Sequence, residues 1–262
     1  MPGEAGTFSQ KRAAPLLRGL YEHCAFGVAL AVFGIGGLIY TVIGPLLHFI
    51  LPRCIGAALG QRVVMVLFRF FVGLLDLLGL ARCDLRALDD LRDGPPVVIT
   101  PNHPTYLDAM LIVSRLPRVA CVMKSEILHN PFLGGGARLA GYIPGDAPKD
   151  MIRKAIAALR DGQHVLFFPE GTRTVREPVN AFKTGFAPIA RLAGVPIQTV
   201  IIQTDSRYMR KGWPLLRMPE FPLVYRVRLG NRFAPRNDSR ALVADVEAYF
   251  RTELARTTRD DE

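Results

Sequence analysis

A histidine and an aspartate stand five residues apart in TPNHPTYLDAM, residues 100–110. Along a continuous helix such a pair points about 140° apart, so His103 and Asp108 cannot share a helical face. Pro104 removes the difficulty. It disfavours the α conformation for His103 and sits well at the first position of a helix. The sequence therefore predicts a strand at Val97–Thr100, a loop carrying His103, and a helix starting at Pro104 with Asp108 in its opening turns. A carboxylate there is favoured by the helix dipole. Asp108 then accepts from one imidazole nitrogen and leaves the other to take a proton, the base half of a catalytic triad without its nucleophile. Imidazole exchanges a proton near neutral pH. No serine or cysteine follows at a telling position, so the substrate itself can bring the hydroxyl. A structural hydrogen bond between the two side chains accounts for the spacing equally well.

A second stretch, FFPEGTRT at 167–174, carries a different chemistry. A buried strand ends at Pro169, and a glycine-centred turn exposes Glu170, Thr172 and Arg173 at the sheet's edge. Backbone N–H groups around Gly171, a threonine hydroxyl and a guanidinium together make an anion site, and arginine suits bidentate phosphate contact. The plainer reading is a turn with a surface salt bridge.

These stretches need a scaffold, and the rest of the chain supplies one. The 262 residues suffice for one large α/β domain. Residues 1–20 hold Lys11, Arg12 and Arg18 among small and polar residues and read as a poorly ordered basic arm. From Cys24 to Leu51 no Asp, Glu, Lys or Arg occurs, a run longer than the roughly 20 residues that cross a bilayer. It is too long for a signal-peptide core. Pro45 breaks it near its end, and basic residues flank both sides, so charge asymmetry gives no orientation. QRVVMVLFRFFVGLLDLLGLAR, 61–82, is interrupted by Arg69 and Asp76 and reads as an interfacial helix. A pair that dips into one leaflet and a single span remain equal alternatives for residues 21–83. After a composition shift near Asp84, strand candidates at 97–100, 118–124, 164–169 and 195–202 alternate with helices at 148–163 and 184–194. This predicts an α/β domain over 84–262, closed by an amphipathic helix from Ser239. Gly162 is the expected stop of the 148–163 helix.

Composition narrows the function. Half of the residues are hydrophobic and the net charge is +10, favouring anionic partners such as phospholipid headgroups. The basic residues are dispersed rather than striped, against a nucleic-acid binder. Cys24, Cys54, Cys83 and Cys121 form no CxxC pair, which argues against zinc or a disulfide framework and fits a reducing cytoplasm. The other histidines (His23, His48, His129, His164) read as structural. Tyr208 and Trp213, with Arg207, Arg210 and Lys211, form either an interfacial patch or a solvated loop.

NHPTYLD followed by FPEGTR resembles the glycerolipid acyltransferase family, the lysophosphatidic acid acyltransferases and their relatives. The resemblance runs from about Val97 to about Ile202. It includes MKSEILHNPFLG at 123–134, similar to the family's Lys-x-Glu-Leu segment with Ile127 in place of leucine, then FKTG at 182–185 and GVPIQTVII at 194–202. It implies an α/β fold, a mixed central sheet flanked by helices and preceded by an N-terminal membrane-seated helical pair. His103 would be the general base on the acceptor hydroxyl and Asp108 its orienting partner. Glu170, Gly171, Thr172 and Arg173 would lie at the acceptor's phosphate and glycerol, with Lys124 beside them. No metal and no organic cofactor are implied. The co-substrate would be acyl-CoA or acyl carrier protein (acyl-ACP), and the place of action the cytoplasmic face of a membrane, a bacterial inner membrane on this likeness.

One segment departs from the family. GYIPGDAPK puts Ala147 where the family has a phosphate-holding arginine and Gly145 where it has a branched residue. Either Lys149 or Arg153 substitutes, or the acceptor is not a simple lysophosphatidate; a lysine there would be a looser clamp. The most direct expectation is acyl transfer to 1-acylglycerol-3-phosphate. The alternatives are a lyso-ornithine lipid or a pigment or polyketide anchor as acceptor, and a non-catalytic lipid-binding membrane protein.

Overall fold

The computed structural model describes residues 5–50, 52–214 and 216–260. Two helices come first, α1 (Ala5–Ile50) and α2 (Arg53–Leu77). Both contain stretches long and apolar enough to cross a membrane, Leu17–Leu47 and Ile55–Leu77, with little of either buried by the rest of the protein. Val28, Ile35, Val42 and Phe49 of α1 and Val66, Phe70 and Leu77 of α2 are exposed, a surface that seeks lipid. Two expectations are corrected here. The helix already includes residues 5–20, expected as a loose arm, and it continues past Pro45. A bilayer-seated helix tolerates an internal proline because neighbouring segments satisfy the freed carbonyl. The break falls instead at Pro52, which is extended at ψ 140°.

The α/β domain follows as β1 (Ala81–Asp84), a 3-10 turn at Arg86–Leu91, β2 (Val98–Pro101), α3 (Asp108–Val113), β3 (Val119–Met123), α4 (Ser125–Leu128), α5 (Gly134–Leu139), β4 (Ile143–Pro144), α6 (Pro148–Arg160), β5 (His164–Leu166), α7 (Phe186–Ala193), β6 (Ile197–Thr204), β7 (Leu223–Phe233) and α8 (Ser239–Asp260). The strands form one sheet in the order β1-β7-β6-β2-β5-β3-β4. Every neighbouring pair is parallel except β6 and β7, so the sheet is mixed. It begins at Ala81, inside the segment expected to be membrane-associated throughout. Strand β7, unforeseen in the sequence, alternates Leu223, Tyr225 and Val227 into the core.

Both faces of the sheet are covered, as its apolar strands require. Ile99, Cys121, Leu166 and Val200 point to one core with Leu111 and Ile112 of α3. Val98, Ala120, Val165 and Ile201 alternate to the other, with Phe186 of α7 and Val246 and Phe250 of α8. The first face also seats the domain on the helical pair. A Cβ on Gly44 of α1 would meet the Gly135 carbonyl of α5 at 2.7 Å, and one on Gly60 of α2 would meet the Ala140 nitrogen at 2.6 Å. Only glycine permits such backbone approach.

Candidate active site

The site lies beyond the carboxyl ends of the parallel strands β2, β5, β3 and β4, the usual ligand side of an open α/β sheet. Asn102 starts it. Its buried side chain donates Nδ2–H to the Ile202 carbonyl at 2.8 Å and accepts the Ile202 N–H at 2.7 Å. These bonds carry the β2–β6 ladder one residue past the strand's last backbone pair, and His103 is thereby released from the sheet while its predecessor stays anchored. Sequence reasoning passed over Asn102, although an asparagine directly before His-Pro was the available signal.

His103 Nδ1 lies 2.8 Å from Asp108 Oδ2, with the imidazole 16% exposed and Asp108 fully buried. The expected pairing exists, but α3 begins at Asp108, four residues later than Pro104. Residues 104–107 form a turn instead, because Thr105 binds the carboxylate locally. Its N–H donates to Oδ2 at 2.8 Å and its hydroxyl to Oδ1 at 2.6 Å, and a side chain of this type competes with helix for the backbone. Tyr225 supports Thr105 in turn through a 3.3 Å bond from its hydroxyl. Burial pushes that phenol far above its ordinary range, so it remains a donor. With both Asp108 oxygens engaged, the carboxylate cannot rotate, and His103 keeps Nε2 for a substrate. The ring also rests on Phe168, centroids 4.0 Å apart and tilted 30°.

The second stretch differs more from expectation. Glu170 is 3% exposed rather than displayed at the sheet's edge. Its Oε1 accepts the His103 N–H at 2.9 Å and the Thr174 hydroxyl at 2.8 Å, and its Oε2 accepts the Asn180 N–H at 2.8 Å. Burial raises its pKa, and the three donors together with His103 oppose the rise. The carboxylate is spent on holding the two motif loops together, so it is corrected from a substrate contact to a positioning group. Thr174 N–H completes the join by donating to the His103 carbonyl at 2.7 Å.

Arg173 also has a task within the protein. Its Nη1 donates to the carbonyls of Met209 at 2.8 Å and Arg210 at 2.9 Å, and its guanidinium lies 3.6 Å over the Tyr106 ring. Met209 takes φ +61°, a conformation costly for a side-chain-bearing residue. Its carbonyl also accepts the Tyr106 N–H at 3.3 Å. Arg173 thus latches the β6–β7 loop beside the dyad. Within that loop Tyr208 is 5% exposed and meets Phe26 of α1 edge-on at 6.1 Å, whereas Arg207 and Lys211 are exposed.

Gly171 and Thr172 are half-buried at the turn, while Lys124 and Lys149 are exposed. Lys124 precedes α4, whose first N–H, from Ser125, reaches Asp146 at 2.9 Å. The hydroxyl and N–H of Ser125 hold the Asp146 carboxyl below its usual range. This bond draws Lys124 and the 145–147 segment together, with Ala147 extended before α6 and Lys149 on that helix's first turn. Arg153 pairs with Asp150 at 3.0 Å. Among the described residues no group of three or more His, Cys, Asp or Glu could hold a metal ion.

Comparison with known proteins bears on the family and the fold. The Acyltransferase family model matches residues 82–203. A 1-acyl-sn-glycerol-3-phosphate acyltransferase of Pseudomonas aeruginosa is 27% identical over 65% of this chain and 68% of its own. A lyso-ornithine lipid O-acyltransferase of Rhodobacter capsulatus is 37% identical over 33% of this chain and 32% of its own. The crystal structure of the 1-acyl-sn-glycerophosphate (LPA) acyltransferase PlsC of Thermotoga maritima superposes with a TM-score of 0.65. It covers 92% of this chain and 97% of that one at 19% identity, a likeness of fold.

Proposed function

We infer from the match of residues 82–203 to the Acyltransferase family model, and from the dyad those residues hold, that the protein is an O-acyltransferase. It moves a fatty acyl group from an acyl thioester to the hydroxyl of a lysolipid. The observation that carries the reading is the 2.8 Å contact between His103 Nδ1 and a fully buried Asp108.

The acceptor's hydroxyl gives its proton to His103 Nε2 as its oxygen adds to the thioester carbonyl. The C–S bond then breaks, and the departing thiolate takes the proton from the imidazolium. Asp108 fixes the tautomer and stabilises the imidazolium between these steps. Attack is direct and needs no acyl-enzyme. The donor is acyl-CoA or acyl-ACP, and the acceptor that the relatives' names favour is 1-acylglycerol-3-phosphate. The exposed apolar faces of α1 and α2 seat the protein in a membrane, with the sheet on the cytoplasmic face where thioesters are made.

A lyso-ornithine acceptor is the second reading. Ala147 removes an arginine from the headgroup end, and the 37% identity to the Rhodobacter relative supports it. The test is acyl transfer by the protein in membranes from a host lacking its own enzyme, with one acyl-CoA and one acyl-ACP against a panel of lysolipids. The reading predicts a new diacyl product that disappears with His103→Ala. An inert panel, or a product independent of His103, defeats it.

A further inference from the structure

The headgroup end of the site lacks a free arginine, and its two lysines, Lys124 and Lys149, stand exposed on the side of the 145–147 segment. Ala147 supplies no cation, Arg153 is paired with Asp150, and Arg173 spends Nη1 on the carbonyls of Met209 and Arg210. One further cation reaches the FPEGTR turn, and it comes from the segment that leads into α7. The Lys183 N–H donates to the Pro169 carbonyl at 2.7 Å, which stitches residue 183 to the start of the turn. Its side chain then crosses Gly171. That glycine takes φ +65°, and a Cβ built on it would stand 2.5 Å from Lys183 Nζ and closer still to Cε. Glycine is required there twice, for the left-handed backbone and for the path of the lysine.

The ammonium is poised rather than spent. Lys183 is exposed, and among the described residues no carboxylate pairs with it. Glu170, next to Gly171, has both oxygens engaged by the donors of His103, Thr174 and Asn180. The position also suits the gap. A Cβ on Gly185 would lie 3.0 Å from Met151 Cε, so the chain two residues after Lys183 packs on α6, the helix that follows Ala147.

We propose that Lys183 is the principal ligand of the acceptor's phosphate, and that this chain binds a phosphate-bearing lysolipid through it in place of an arginine at position 147. The proposal rests on the acyl-transfer reading and narrows its acceptor. An unpaired ammonium offers three donors and a point charge, a looser clamp than a guanidinium, so the interaction belongs to ground-state binding more than to the reacting carbonyl.

The experiment is steady-state kinetics of the full chain in membranes with 1-acylglycerol-3-phosphate, for wild type, Lys183→Met, Lys183→Arg and Lys183→Met with Ala147→Arg. Lys183→Met should raise the acceptor KM about tenfold or more, the loss expected of a hydrogen bond to a charged group. It should leave kcat within about threefold and the thioester KM unchanged, the signature of lost uniform binding. Lys183→Arg should retain the wild-type KM, and Ala147→Arg should restore much of what Lys183→Met loses. An acceptor KM unaffected by Lys183→Met overturns the proposal, and so does a fall in kcat with both KM values raised together. If the wild type acylates lyso-ornithine lipid and not 1-acylglycerol-3-phosphate, Lys183 loses its role while acyl transfer stands. If it acylates nothing, acyl transfer falls. Equilibrium binding of 1-acylglycerol-3-phosphate, which needs no turnover, then still decides the lysine: weaker binding by Lys183→Met supports it, equal binding ends it.

Discussion

Two histidines mark opposite ends of the same central strands. His103 stands past the carboxyl end of β2, and His164 opens β5 at the other end of the sheet. Both are anchored through hydrogen bonds, yet the bonds differ in kind. His103 spends Nδ1 on a carboxylate, Asp108, and leaves Nε2 without a protein partner among the described residues. His164 spends both nitrogens on neutral backbone: Nδ1 accepts the Val97 N–H at 3.3 Å, and Nε2 donates to the Leu91 carbonyl at 2.8 Å. Burial lowers its pKa, and Arg118 and Arg232 push in the same direction. An imidazole with a free nitrogen and a negative partner can accept a proton in a reaction. One with both nitrogens saturated and cationic neighbours is a strut.

The contrast is broken most severely at His103 itself. His103→Ala should lower kcat about 1,000-fold or more while leaving the fold intact, since a positioned base contributes roughly 100 to 10,000-fold; acyl transfer beside an unchanged circular dichroism spectrum checks it. His164→Gln, in the same assay, should keep the wild-type rate. Asp108→Asn comes next, at about 100-fold or more. The amide presents its own N–H to a ring that must donate, and the wrong tautomer is selected. Near-normal turnover by this variant would reduce Asp108 to a structural partner. Glu170→Gln should cost about tenfold. The glutamine oxygen still accepts from His103 and Thr174, but its NH2 faces the Asn180 N–H and leaves that donor unsatisfied, a penalty of about 1–3 kcal/mol that loosens the loop. Equal rates for wild type and variant would show that the loop holds His103 without it.

The same contrast explains what could be read from sequence. His103 and Asp108 were visible because residue type and spacing announce their pairing over a few positions. So were α6 and α7, whose buried residues recur at helical spacing. Glu170 was visible as a residue and misread in its role, because the donors that bury it include the His103 N–H from another strand's end. Asn102 and Lys183 act through contacts to Ile202 and Gly171 that no local pattern displays. Strand β1, only Ala-Arg-Cys-Asp, owes its existence to pairing with β7. Strand β7 carries a period-two signal, but Arg226 and Arg228 interleave it, and the sequence reading passed over it. The glycine contacts between α1 and α5 escaped for a related reason: Gly44 and Gly135 are informative only once set against each other.

The smallest effect is also the cleanest discriminator between the two histidines. His164 has its pKa lowered by burial, so the folded state prefers the neutral ring. For a depressed histidine, the stability it contributes is complete above the ordinary imidazole value of about 6.5. It is lost as pH falls through the lower value of the folded state. Glutamine at 164 offers one acceptor and one donor in a similar place but cannot take up a proton. His164→Gln should therefore sit slightly below wild type in stability near pH 7.5, where the neutral histidine packs best, and lose less of that stability on acidification toward pH 5. Urea unfolding of detergent-solubilised protein at the two pH values measures the difference of slopes, and other titrating groups cancel between the two proteins. Parallel acid limbs would mean that His164 does not pay to be protonated. A collapse of acyl transfer at neutral pH would mean more, since it would give His164 a share in the chemistry that its saturated nitrogens deny it.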